Sequence, residues 1–173
     1  MKHFFPIFFL LLNANFVNAQ PRSSSGDSIR TTTHSVYLEI GGSGGYGSLN
    51  YEQFIFLKKK IKLAGRIGIS TYHFKDFQNK FNPDILVPIT FKTLYGNTHH
   101  AEIGIGETFA SIVSAGETNF EPKRSVNLHT HFLIGYRYQR TKGGIIAGVA
   151  YTPILEFNHY WRNWASISIG YSF

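Results

Sequence analysis

The sequence has no cysteine. Disulfides and thiol chemistry are therefore excluded. Charge is scarce: only 16% of residues are charged, and Asp and Glu together number 10. Soluble domains carry roughly 25%. Long apolar runs are also missing. The longest, residues 4–12, is broken by Pro6 and falls well short of the roughly 20 residues a spanning helix needs. Any passage through a membrane must then use strands. No segment shows a helical period.

What is present is aromatic, glycine-rich and alternating. Phe, Tyr and Trp make up 16% of the chain, and there are 17 glycines among 173 residues. The last ten residues show the pattern most clearly. Ala165, Ile167, Ile169, Tyr171 and Phe173 share one face of an extended strand, and Trp164, Ser166, Ser168, Gly170 and Ser172 share the other. The second face is small, polar and uncharged. It suits a packed polar lumen better than bulk water.

The same alternation predicts eight strands, near 35–42, 46–56, 61–74, 85–96, 99–113, 126–140, 144–156 and 164–173. Three connections are tight: Lys58-Lys59-Lys60, Gly96-Asn97-Thr98 and Lys142-Gly143. The links at 75–84, 116–124 and 157–163 are longer, and the first link, 42–45, is short and Gly-rich. Short turns at one end and long loops at the other, with an even strand number, predict an all-β, eight-stranded antiparallel up-and-down transmembrane β-barrel over 35–173. Ahead of it, residues 1–19 read as a signal peptide, with a short basic start, an apolar stretch and Val17-Asn18-Ala19 before the cleavage point. Residues 20–34 read as a polar, flexible leader. Export through this route and both termini in the periplasm are the expected outcome.

The net charge of +7 collects at Lys58-Lys59-Lys60 with Lys62, and at Arg140 with Lys142. At short turns of an exported chain, anionic lipid headgroups fit better than nucleic acid. Solvated turns that resist aggregation are the alternative. Six charges within strands fall in phase with the Gly/Ser/Thr faces: Glu39, Glu52, Arg66, Lys92, Glu102 and Arg137. Centring one turn on Lys59 sets Glu52 opposite Arg66. Centring the next on Asn97 sets Lys92 opposite Glu102, and Arg137 comes toward Glu102. Buried charges must be paired, so these six are expected to form a salt-bridge network in the lumen. The alternative is ordinary cross-strand pairing on a water-facing sheet. Glu107 breaks the pattern: it shares the lipid-facing phase of Ile103 and Ile105, near the top of the apolar band or turned inward by a bulge.

The signal peptide, the alternating strands and the closing Gly170-Tyr171-Ser172-Phe173 resemble small eight-stranded outer-membrane barrels of the OmpX and OmpA-transmembrane type. The resemblance implies a lumen plugged by charged residues and no wide pore. It also implies that Ile169, Tyr171 and Phe173 carry the signal read by the barrel-assembly machinery. A structural or surface-interaction role without catalysis, metal or cofactor is the expected function, with a monomer among outer-membrane lipids and lipopolysaccharide as the expected surroundings. A lipid-modifying enzyme or a narrow channel is the alternative within that class. His129 and His131 share one face but have no serine beside them, so only the base half of a catalytic pair is visible. Two imidazoles are also too few for a metal site. His99 and His100 are expected to be solvated at their turn. A soluble, lipocalin-like ligand-binding barrel would require the opposite polarity.

Overall fold

The computed structural model describes residues 32–116, 121–156 and 160–173. The expected signal peptide and most of the expected leader lie outside these residues. Among the described residues ten strands form one antiparallel sheet: β1 His34–Gly41, β2 Gly47–Lys58, β3 Ile61–Ser70, β4 Ile85–Gly96, β5 His99–Ala115, β6 Pro122–Gln139, β7 Gly144–Tyr151, the short β8 Ile154–Leu155 and β9 Trp161–Arg162, and β10 Ala165–Ser172. The order runs β5-β4-β3-β2-β1-β10-β7-β6, and β5 also pairs β6. The sheet is therefore a closed eight-stranded up-and-down barrel, and closure leaves no wall edge unpaired. β8 and β9 form a small ladder laid against β6, with Thr130 opposite Leu155 and His131 opposite Ile154.

First and last wall strands meet. Val36 faces Tyr171 and Leu38 faces Ile169. His34 N–H donates to the Phe173 carbonyl at 3.1 Å, and the Phe173 N–H returns a bond to His34 at 2.9 Å. The strand starts one residue earlier than expected. Thr32, at the end of the expected leader, is tied down too, its N–H donating to Thr141 at 3.1 Å. The three tight turns share the end of the barrel that holds both of these segments, called here the terminal end. The longer links lie at the loop end.

Several bounds differ from the sequence expectation. β3 stops at Ser70, and residues 71–84 fold as a loop organised by Asp76, whose carboxylate accepts the backbone N–H groups of Gln78 and Lys80 at 3.0 Å each. β6 begins at Pro122 rather than near 126, so the β5–β6 hairpin stands above the rest of the wall. β7 ends at Tyr151 because Pro153 has no N–H for the ladder. Its carbonyl instead accepts from Phe132 at 3.0 Å.

The register carries two lessons. Glu52 does oppose Arg66, but the pairing shifts at Phe54/Phe56, where Ile55 is an extra residue. The turn itself sits between Lys58 and Ile61. The bulge absorbs the one-residue difference and keeps every side chain above it on its proper face. Lys92 does not oppose Glu102. It faces Gly104, while Glu102 faces Leu94. The turn is centred one residue later than Asn97, which slides the register by two and preserves the face.

Candidate functional site in the barrel lumen

Polarity across the wall is inverted relative to a soluble barrel. Ile40 is 71% exposed while Glu39 beside it is 3% exposed. Leu38, Ile67, Phe91, Ile103, Ile134, Val149, Ile167 and Ile169 all point outward. Glu52, Arg66, Lys92, Glu102 and Arg137 are buried inside, with Thr90, His131 and Asn50. Water outside and oil inside, the arrangement of a ligand-binding lipocalin, is thereby ruled out.

The six singled-out charges sit in two tiers. Nearer the terminal end, Glu52 Oε2 lies 2.5 Å from Lys92 Nζ and its Oε1 lies 2.5 Å from Arg137 Nη1. Glu102 bridges the same two cations, at 3.4 Å from Lys92 and 3.3 Å from Arg137 Nε. Two carboxylates and two cations thus alternate in a ring. Tyr37 packs against it. Its hydroxyl donates to Glu52 at 3.4 Å and accepts from Lys92 at 3.2 Å. Its ring lies 5.3 Å from Lys92 Nζ and 5.1 Å from the Arg137 guanidinium carbon, a cation–π distance.

Toward the loop end, Arg66 Nη1 donates to Glu39 at 2.9 Å and its Nε donates to Thr90 at 3.1 Å. Its Nη2 reaches Ser43. Glu52 and Arg66, opposed in register, form no pair with each other. Each reaches across the lumen instead, because an eight-stranded interior is narrow enough for long side chains to span. Arg137 likewise faces His100 in register and meets Glu102 on the diagonal.

The link between β1 and β2 folds into the loop-end mouth. Gly42, Ser43 and Gly44 form a single 3₁₀ turn and are buried. The Ser43 carbonyl accepts from Thr108 at 3.1 Å, and Ser70 donates to the Gly44 carbonyl at 2.5 Å. Gly41, Gly42 and Gly45 have φ near +77°, +77° and +76°, which side chains on L residues rarely adopt. A Cβ on Gly45 would stand 2.2 Å from the Tyr72 ring. The glycines therefore permit both the inward bend and the close approach.

Three lumen residues escaped the sequence reading. Tyr37 shares the phase of Glu39 but is aromatic, so composition gave no hint of its polar role. Lys62, grouped above with the basic turn, is buried, and its Nζ donates to His100 Nε2 at 2.9 Å above the Phe54 ring. His100, expected in solvent, is wholly buried. Two-residue periodicity from Arg66 and from Glu102 points inward to both. Phe54, Ala64 and Leu94 form an apolar cluster on the same inner face.

His131 is buried between two hydroxyls, Thr90 at 2.9 Å and Thr108 at 3.1 Å, so both ring nitrogens are occupied. His129 lies half-buried in the same phase. Glu107 stays on the outer face with no bulge in β5 and accepts a hydrogen bond from Thr130 at 2.8 Å. Outward aromatics mark both ends. Tyr136, Tyr171 and Phe173 are exposed at the terminal end. Near the loop end Tyr151 donates to Asn163 at 2.6 Å, Trp161 stacks on Phe132, and Trp164 packs edge-on against Tyr46. Ile169, Tyr171 and Phe173 all face outward along β10.

An eight-stranded up-and-down barrel with polar and charged side chains on its inner face and an apolar wall defines the structural class. No protein-family model and no curated protein sequence matches the chain. Among solved structures it is similar to the N-terminal β-barrel domain of Pseudomonas aeruginosa OprF, at 16% identity, covering 82% of this chain and 99% of that one, with a TM-score of 0.54. It is also similar to Ail, the attachment invasion locus protein of Yersinia pestis, solved with the heparin analogue sucrose octasulfate, at 10% identity, 83% and 97% coverage and a TM-score of 0.49. The likeness is one of fold.

Proposed function

We propose that the chain is a bacterial outer-membrane β-barrel with a structural or surface-interaction role, its lumen closed to solute flow and its termini in the periplasm. One observation carries the reading: apolar side chains cover the wall while paired charges fill the interior. Hydrocarbon stabilises such a wall, and water would not. The fold shared with the OprF barrel domain supports the same class.

Closure of the lumen rests on three layers. The Gly42–Gly44 turn occupies the loop-end mouth. Below it lie the Glu39–Arg66 pair and then the ring of Glu52, Lys92, Glu102 and Arg137. Outer-membrane lipids surround the wall, and lipopolysaccharide faces the loop end. The chain acts as a monomer and uses no cofactor. Ile169, Tyr171 and Phe173, by resemblance to the small barrels, present the assembly signal on the outward face of β10.

The test is localisation and closure together. The protein should remain in outer membranes washed with alkaline carbonate and should migrate differently on gels before and after boiling. Recovery in the soluble fraction would overturn the reading. In planar bilayers it should show no steady conductance. Deleting Phe173 should lower outer-membrane levels at unchanged synthesis; unchanged levels would remove the assembly role.

A further inference from the structure

Resting on the membrane reading, we propose that the terminal end of the barrel is an anionic-phospholipid docking ring, formed by the two cationic turns Lys58-Lys59-Lys60 and Arg140 with Lys142. All five side chains are exposed. Among the described residues, none of them has a carboxylate within ion-pair distance. The carboxylates in that half of the barrel, Glu52 and Glu102, are buried in the lumen ring. Among the described residues, the rim shows cations and no exposed side-chain carboxylate.

The loop end differs. There Lys75, Lys80, Lys123, Arg124 and Arg162 are interspersed with Asp76, Asp84, Glu121 and Glu156. Arg162 pairs with Glu156, and Arg124 donates to Asn82, Pro83 and Ser111. The two loop-end arginines are thus engaged in the fold, and the loop-end lysines share that end with four carboxylates, whereas the four terminal-end lysines have no side-chain carboxylate beside them among the described residues.

Placement around the ring favours a flat partner. The two cationic turns are separated by β3, β4, β5 and β6 on one side and by β7, β10, β1 and β2 on the other. They are diametrically opposed. A compact acidic ligand cannot touch both, but a planar leaflet meets both at one depth. The intervening quarter positions hold His99 against Tyr136 and Tyr138, and His34 against Tyr51 and Phe173. Amphipathic rings of this kind sit at headgroup level. Arg140 Nε donates to the Tyr138 hydroxyl at 2.8 Å, which holds that guanidinium at the same depth.

The turn chemistry points the same way. Lys59 has φ +48°, and a hairpin position of that kind favours Gly or Asn. At the other positive-φ positions among the described residues the chain uses Gly, or Asn at Asn79. Lys59 breaks that rule and adds a like charge between two others. Local rules are broken where another requirement outweighs them, and here that requirement is positive charge at the headgroup plane.

The experiment refolds the full chain into phosphatidylcholine vesicles with and without phosphatidylglycerol, and reads unfolding temperature by gel mobility. Phosphatidylglycerol should raise it by about 5 °C at low salt, an increment that high salt removes. The five-site variant K58Q/K59Q/K60Q/R140Q/K142Q should lose the increment yet behave as wild type in phosphatidylcholine. The loop-end variant K75Q/K80Q/K123Q should keep it. If the five-site variant does not fold, K58Q/K59Q/K60Q and R140Q/K142Q should each lose part of it. An increment absent from wild type, retained by these variants, or reproduced by soluble glycerol 3-phosphate overturns the docking ring. Failure to insert into either vesicle would instead sink the membrane reading beneath it.

Discussion

Glu52 illustrates how one side chain can hold opposing strands together. It is fully buried, yet each carboxylate oxygen lies 2.5 Å from a different cation, Lys92 on β4 and Arg137 on β6. Removing one member of a buried ionic group leaves the others uncompensated, at a cost of roughly 3–5 kcal/mol. E52Q should therefore lower barrel stability by about 3 kcal/mol in urea titrations of the refolded protein. E156Q, which touches only the half-exposed Arg162 pair, should change it by less than about 1 kcal/mol. Adding K92M to E52Q should recover part of the loss, since the stranded ammonium is then gone. Stability of E52Q equal to wild type would mean that the lumen is wet enough to solvate the charges singly.

At the scale of elements, the β2–β3 hairpin shows what a bulge does for a barrel. Ile55 is the extra residue that reconciles a turn between Lys58 and Ile61 with the pairing of Glu52 and Arg66. Deleting Ile55 should leave the wall intact, because Phe54 stays opposite Ala64 and Phe56 opposite Leu63. Deleting Tyr51 should instead turn one half of β2 inside out and abolish heat-modifiable mobility. The same reasoning explains what could be read without coordinates. Side-chain phase was legible at every one of the six charges, since a strand alternates regardless of its exact partner. Register was legible only to within two residues: the slip between Lys92 and Glu102 changes the partner and leaves the face alone. Partners across the lumen were not legible, because they depend on barrel closure and strand stagger. Neither was the inward fold of Gly42–Gly44, whose glycines read locally as a plain turn. Lys62 was misplaced because its neighbours in sequence are lysines, although its neighbours in space are His100 and Phe54.

At the scale of the whole molecule, distribution of charge separates three environments. Among the described residues, the wall is apolar, the lumen holds ion pairs together with Lys62 on His100, and the terminal rim holds cations with no carboxylate at ion-pair distance. Ends and interior are joined through one further feature. His34 and Phe173 exchange two backbone hydrogen bonds, at 3.1 Å and 2.9 Å, and residues paired in that way have Cα atoms only about 5.5 Å apart. Considered as a curve in space, the backbone of the barrel is a nearly closed loop with its cut placed between β10 and β1. A short linker from Phe173 to His34, with new termini opened between Asn97 and Thr98, should refold in detergent to a barrel with the same heat-modifiable shift. Refolding would be judged by that shift, and its absence would mean that the order in which the strands are laid down matters as much as the surface they finally enclose.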